Sequence, residues 1–292
     1  MTLRPTHLPK IRSQTIRLIS GLDGGPFMLP GDENLVAALV ADLRAADLYW
    51  VSDDMTSLSM HAGQSLDEAR WAPTDRPSPC GLALFQGGLG MVELGAGLSG
   101  PVEALAWGPG PDATLRVWHL VSRRRLFGDL PDVTAAKLPP LIAIREVRLP
   151  VTDQPVSLDA LPAHEGLAPP RAIIAALAAS WRLMQQPQLV ERTSCEPSRS
   201  EARALRRADM PDGGVTLVNL RRQYTPQDRD PDAGGDGRRY RYRWVVSGHW
   251  RRYRDERYSE DVRAEPQWIP AHSKGPEGAP LLATERVNVW RR

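Results

Sequence analysis

The residues whose types and spacing suit chemistry lie between Arg238 and Arg292, where arginines interleave with aromatic rings. On an extended strand alternate side chains share a face. Arg239, Arg241 and Arg243 are therefore expected on one face, and Tyr240, Tyr242 and Trp244 on the other. A row of guanidinium groups suits the phosphates of an RNA backbone, and guanidinium planes also stack on bases. Gly248 marks a bulge, and beyond it His249, Arg251, Arg252 and Arg254 extend the cationic surface. Trp268 and Lys274 complete the expected nucleic-acid-binding set.

The same stretch holds the ingredients of metal-independent RNA cleavage. His249 is the candidate base, since imidazole titrates near neutrality. Arg251, Arg254, Lys274 and Arg286 are candidates to stabilise the phosphorane, and Tyr258 to supply a proton. Against both readings stands a plain one, an arginine-rich solvated strand. Lysine occurs only at positions 10, 137 and 274, leaving 34 arginines, a bias that fits a GC-rich coding sequence.

Other motifs lack the context their chemistry needs. Gly95-Ala96-Gly97-Leu98-Ser99-Gly100 matches GxGxxG, but Pro101 and strand-like VEALAW follow it where a dinucleotide site requires a helix N-terminus. A hairpin or loop is expected instead. Asp228, Asp230 and Asp232 have the opening spacing of a calcium loop, yet Ala233 stands at the glycine position and Arg239 where a bidentate Glu belongs. No lysine closes a phosphate loop, GxSxG is absent, and the six histidines form no HxH or HxxxH pair. No cofactor and no metal are expected.

The elements that must position the basic segment read as follows. Lys10–Ser20 predicts a short helix ending at Gly21, and Asp32 caps a helix over Glu33–Leu48. A short strand at Leu48–Val51 leads to a Ser52-capped helix reaching about Glu68. These helices are read as a packing layer. Strands are expected at Cys80–Gln86, Val102–Trp107, Thr114–Val121 and Leu141–Leu149, separated by Gly- and Pro-rich turns. Arg171–Gln186 is the clearest helix, with Ile173, Ile174, Leu177, Trp181 and Met184 at helical spacing. A polar helix follows at Ser200–Arg207, then strands at Val215–Arg221, Tyr240–His249, Pro266–Pro270 and Arg286–Trp290.

The fold class is therefore α+β: N-terminal helices, a central mixed or antiparallel sheet backed by a long helix, and basic C-terminal strands. The expected organisation is an N-terminal region over 1–150, a linker or surface crossing over 151–170, and a C-terminal module over 171–292. Net charge is +2 overall, but from Arg199 onward 20 Lys+Arg face 14 Asp+Glu, which marks where an anionic partner lands. Cys80 and Cys195 have no CxxC partner, which fits a reducing cytosol. The N-terminus has no signal-peptide pattern and no window is apolar enough for a membrane helix, so a cytoplasmic protein without a membrane partner is expected.

RWVVSGHWRRYRDERYSEDVRAEPQWIPAHSKGPEGAPL resembles a module of uncharacterised plasmid and prophage proteins. It also resembles the C-terminal part of the anti-CRISPR family that silences a type V CRISPR effector through its messenger RNA. His249, Trp250, Arg251, Trp268, Ile269 and Pro270 carry the resemblance, with a weaker likeness over Pro77–Phe85. The N-terminal helices and KGPEGAPL depart from that family. The resemblance implies a mobile-element protein whose C-terminal module contacts RNA, ribosome-associated material or a peptide. The expected function is thus a regulatory binding protein acting on RNA or translation. The alternatives are a ribonuclease centred on His249 and a scaffold component of a phage or plasmid assembly.

Overall fold

A computed structural model describes residues 4–21, 33–69, 71–129, 131, 134, 137–152, 155–163, 166–207, 209–210, 213–221 and 244–274, with backbone only at 33, 68, 69, 244, 245, 261 and 272–274. The chain divides into two units, Met1–Arg221 and Arg222–Arg292.

The first unit is built on one mixed sheet. Two helices, α1 (Leu8–Ile19) and α2 (Glu33–Ala45), precede strand β1 (Asp47–Val51) and helix α3 (Asp53–Gly63). Strands β2 (Gly81–Phe85), β3 (Gly90–Gly95), β4 (Leu98–Val102), β5 (Ala104–Pro109) and β6 (Thr114–Ser122) follow, then the short helix α4 (Arg123–Phe127) and β7 (Leu141–Pro150). The unit ends with α5 (Arg171–Met184), β8 (Val190–Cys195), α6 (Arg199–Arg207) and β9 (Val215–Leu220). Seven strands lie in the order β7-β6-β5-β2-β1-β9-β8. Only the β1–β2 and β1–β9 pairings are parallel; the others are antiparallel.

Helices cover both faces of this sheet. Leu8, Ile16, Leu39, Leu43 and Leu205 from α1, α2 and α6 join Leu48, Trp50, Leu82, Ala104, Trp118 and Val215 in one core. On the other face α3 and α5 pack together, with the backbone of Ala175 close to Gly63. Every residue of α5 from Ile173 to Met184 is buried. Trp107 is wedged there, stacked on Tyr49 and edge-on to Trp181. Its ring lies where a side chain on its cross-strand partner Gly81 would sit, so glycine is required at that position.

Two polar features lock the sheet to its covering layers. Asp42 on α2 is buried and accepts from Arg116 Nε and Nη2 at 3.1 and 3.2 Å and from Trp118 Nε1 at 2.9 Å. On the opposite face His119 is 0 % exposed, and among the described residues neither ring nitrogen has a partner in good hydrogen-bond geometry. Burial, and then the charge of Arg145, push its pKa down to about 3, with the Arg145 main chain opposing weakly. Arg145 itself donates to the carbonyls of Glu93 and Ala168, tying down the β3–β4 hairpin and the approach to α5.

The GxGxxG segment is that hairpin. Gly95 pairs with Leu98 across Ala96-Gly97, both at positive φ (50° and 74°), the geometry of a tight two-residue turn. The expected linker at 151–170 is instead part of the first unit, as is α5, which the sequence reading assigned to a C-terminal module. Val151 N–H donates to Ala113 and Val156 N–H to Trp71, and Leu161 is buried. The break comes at Arg221/Arg222. The calcium-like aspartates, the Asp32 cap and the Arg286–Trp290 strand lie outside the described residues. No helix among the described residues is long and apolar enough to cross a membrane.

Candidate nucleic-acid interface

The described part of the second unit, 244–274, is a two-stranded ribbon interrupted once. Strands β10 (Trp244–Val246) and β11 (His249–Arg251) run out to a loop, and β12 (Gln267–Ile269) and β13 (His272–Lys274) return after a short helix α7 (Glu260–Ala264). β10 pairs with β13 and β11 with β12, both antiparallel. Directly opposed residues share a face, and the register sets His249 against Ile269, Trp250 against Trp268 and Arg251 against Gln267. His249 and Arg251 therefore fall on one face and the two tryptophans on the other.

The tryptophan face is core. Trp250 and Trp268 are 5 % and 3 % exposed and meet edge to face, ring centres 5.3 Å apart. This corrects the expectation that Trp268 contacts RNA, because its ring is spent on packing. It also explains Gly248, where a side chain would meet the Trp268 ring.

The opposite face and the loop beyond it carry exposed cations. Arg251, Arg252 and Arg254 are exposed, and among the described residues none of the three is ion-paired. Their arrangement comes from a stack that closes the loop. The Arg251 guanidinium lies 4.9 Å from the centre of the Tyr253 ring. Tyr253 packs against Tyr258 at 4.5 Å, and Arg257 lies 5.4 Å from the Tyr258 ring centre. Arg263 Nε holds the Tyr258 carbonyl at 3.1 Å. A guanidinium that rests its plane on a ring keeps its N–H edge available for an oxyanion. Arg257 also pairs with Asp255 at 3.0 Å, so its edge is partly neutralised. Among the described residues no carboxylate pairs with Arg251.

His249 is half-buried, and its Nδ1 sits 3.0 Å from the Ser247 carbonyl. With Nδ1–H donating there, Nε2 is left as the basic nitrogen.

The chain matches no family model, no curated protein and no solved structure. The site therefore rests on its own geometry. Of the expected residues, the structure brings His249, Arg251, Arg252, Arg254 and Tyr258 into one ribbon and loop. Arg239, Arg241 and Arg243 lie outside the described residues, as does Arg286, and Lys274 is described only in its backbone, opposite Trp244. Tyr253 and Arg257 were absent from the sequence-based set. Their signal is the pattern Arg-x-Tyr followed by Arg-Tyr across a short loop, legible only once the loop is known to close. Among the described residues no group of His, Cys, Asp or Glu could hold a metal ion.

Proposed function

We propose that the chain is a cytoplasmic RNA-binding regulator of a mobile element, acting on RNA or translation, and that the ribbon and loop around Arg251–Tyr258 are its contact surface. The observation that supports this reading is the Arg251–Tyr253–Tyr258–Arg257 stack, which props guanidinium groups outward beside exposed Arg252 and Arg254. Ordering long side chains in advance reduces the entropy lost on binding. Charge agrees in sign: Arg222–Arg292 holds 15 Lys+Arg against 11 Asp+Glu, while Met1–Arg221 holds 22 against 24. The test is a gel shift of labelled single-stranded RNA at rising salt. A complex that weakens steeply with salt is expected, since phosphate contacts release counterions; no complex at low salt would sink the reading.

A second reading is supported by the His249–Ser247 contact. An imidazole held by its Nδ1–H, two residues from Arg251 on one face, is a candidate base for RNA cleavage. His249 Nε2 would take the proton of a 2′-hydroxyl, the 2′-oxygen would attack the adjacent phosphorus, and the 5′-oxygen would leave with a proton from Tyr258. The products are a 2′,3′-cyclic phosphate and a 5′-hydroxyl. Cyclic phosphate that disappears in His249→Ala, with RNA binding retained, would establish it; intact RNA after prolonged incubation would remove it.

A further inference from the structure

We infer that this surface takes a phosphodiester chain through its backbone charge and does not read bases; the inference rests on the RNA-binding reading above. Proteins that grip single strands by their bases offer open aromatic faces on which successive bases stack. In this unit all four aromatic side chains among the described residues are already engaged. Trp250 and Trp268 are buried against one another. Tyr253 meets both Arg251 and Tyr258, and Tyr258 meets Arg257 as well. The amide that could read a base edge on this face, Gln267, donates to the Glu265 carbonyl at 3.4 Å.

What remains outward is charged: exposed arginines, with the exposed carboxylates of Asp255, Glu256, Glu260 and Glu265 on the same loop. Arg251, Arg252 and Arg254 are exposed, and no carboxylate pairs with them among the described residues. A guanidinium edge matches the paired oxygens of a phosphate. A 2′-hydroxyl or a particular base adds nothing to that match, so the ligand class is a phosphodiester chain, RNA or DNA, of any sequence. The tyrosines serve here as props for arginine, not as platforms for nucleobases.

The test measures fluorescence anisotropy with the full chain and four probes: labelled dodecamers of uridylate, adenylate and deoxythymidylate, and an inorganic polyphosphate of similar length as competitor. The three oligonucleotides should bind within about threefold of one another, and polyphosphate should displace them all. The slope of log affinity against log salt should be about −2, as three phosphate contacts on a single strand imply. Arg251→Gln should weaken all three oligonucleotides alike, by about three- to tenfold. Tyr253→Leu should do the same through its loss of support for Arg251, while Tyr253→Phe, which keeps the ring, should bind as the parent does. Adenylate binding about tenfold or more tighter than uridylate, or polyphosphate failing to compete, would overturn the inference and leave RNA binding standing. Failure of every oligonucleotide to bind at low salt would remove both.

Discussion

In the first unit a buried or half-buried guanidinium ends on a carboxylate or a carbonyl. Arg116 ends on Asp42, Arg182 on Asp75 and Arg145 on Glu93 and Ala168. Arg12 reaches the Ala46 carbonyl at the end of α2 and is so buried that its pKa is pushed down to about 10, with Asp47 opposing. In the ribbon, Arg251 and Arg257 lie on tyrosine rings, and Arg252 and Arg254 stand in solvent. One residue type thus serves as internal mortar in the first unit and, at Arg251, Arg252 and Arg254, as an exposed cation in the second, where Arg257 and Arg263 end on oxygens as well. Counting arginines cannot separate these roles. What separates them is whether the N–H edge already has an oxygen.

The contrast can be pushed hardest through His119 in the first unit. Its folded pKa, about 3, lies below its ordinary 6.5, so as pH falls the unfolded chain takes up the proton first. Stability is full above about pH 6.5 and is shed as pH drops toward 3, by as much as ~5 kcal/mol at about 1.4 kcal/mol per pH unit. Denaturant titrations of the parent and His119→Gln at pH 7.5 and 4.5 should show the acid penalty shrinking in the variant. Equal acid sensitivity in both would exonerate this imidazole.

Asp42→Ala comes next. It strands Arg116 and the Trp118 N–H in the core, and a broken buried pair typically loses about 3–5 kcal/mol. RNA affinity of the still-folded fraction should hold. Were affinity to fall instead with stability untouched, the division of labour between the two units would be wrong.

Trp268→Ala should loosen the ribbon by about 3 kcal/mol and lower affinity for every oligonucleotide together, visible as faster amide exchange in β11 and β12. Arg252→Gln should have the smallest effect, about threefold in affinity and nothing measurable in melting temperature, since an exposed cation contributes little to folding. A melting-temperature loss there would show that Arg252 is structural after all.

Periodicity carried the first unit a long way. Leu8–Ile19, Asp53–Gly63 and Arg171–Met184 fall close to where apolar spacing and caps put them, and Ser52 does accept from the Met55 N–H. Strand β8 was missed because it is an edge strand. Val190 is buried, but Glu191 through Ser194 are all exposed, so no alternation is written into VERTSC. The domain boundary was misplaced for a related reason. Four prolines between Val151 and Pro170 mimic a linker, whereas the segment is pinned by bonds to Ala113 and Trp71, partners remote in sequence. In the second unit, alternation placed Arg239, Arg241 and Arg243 on one face, outside the described residues, and was not carried on to His249 and Arg251. It could not tell that Trp250 and Trp268 face each other, because that depends on register with a strand across a fifteen-residue connection. The tyrosine–arginine stack has no period at all; loop closure alone creates it.

Strand β1 sits mid-sheet between β2 and β9, yet β9 is the last strand of its unit to be synthesised. Throughout translation of the intervening residues, one flank of an apolar strand (Leu48, Tyr49, Trp50, Val51) waits without its neighbour. A nascent chain stalled before Val215 would therefore present a sticky, half-built sheet on the ribosome. Full release of the first unit, and not merely of its N-terminal half, is what removes that hazard.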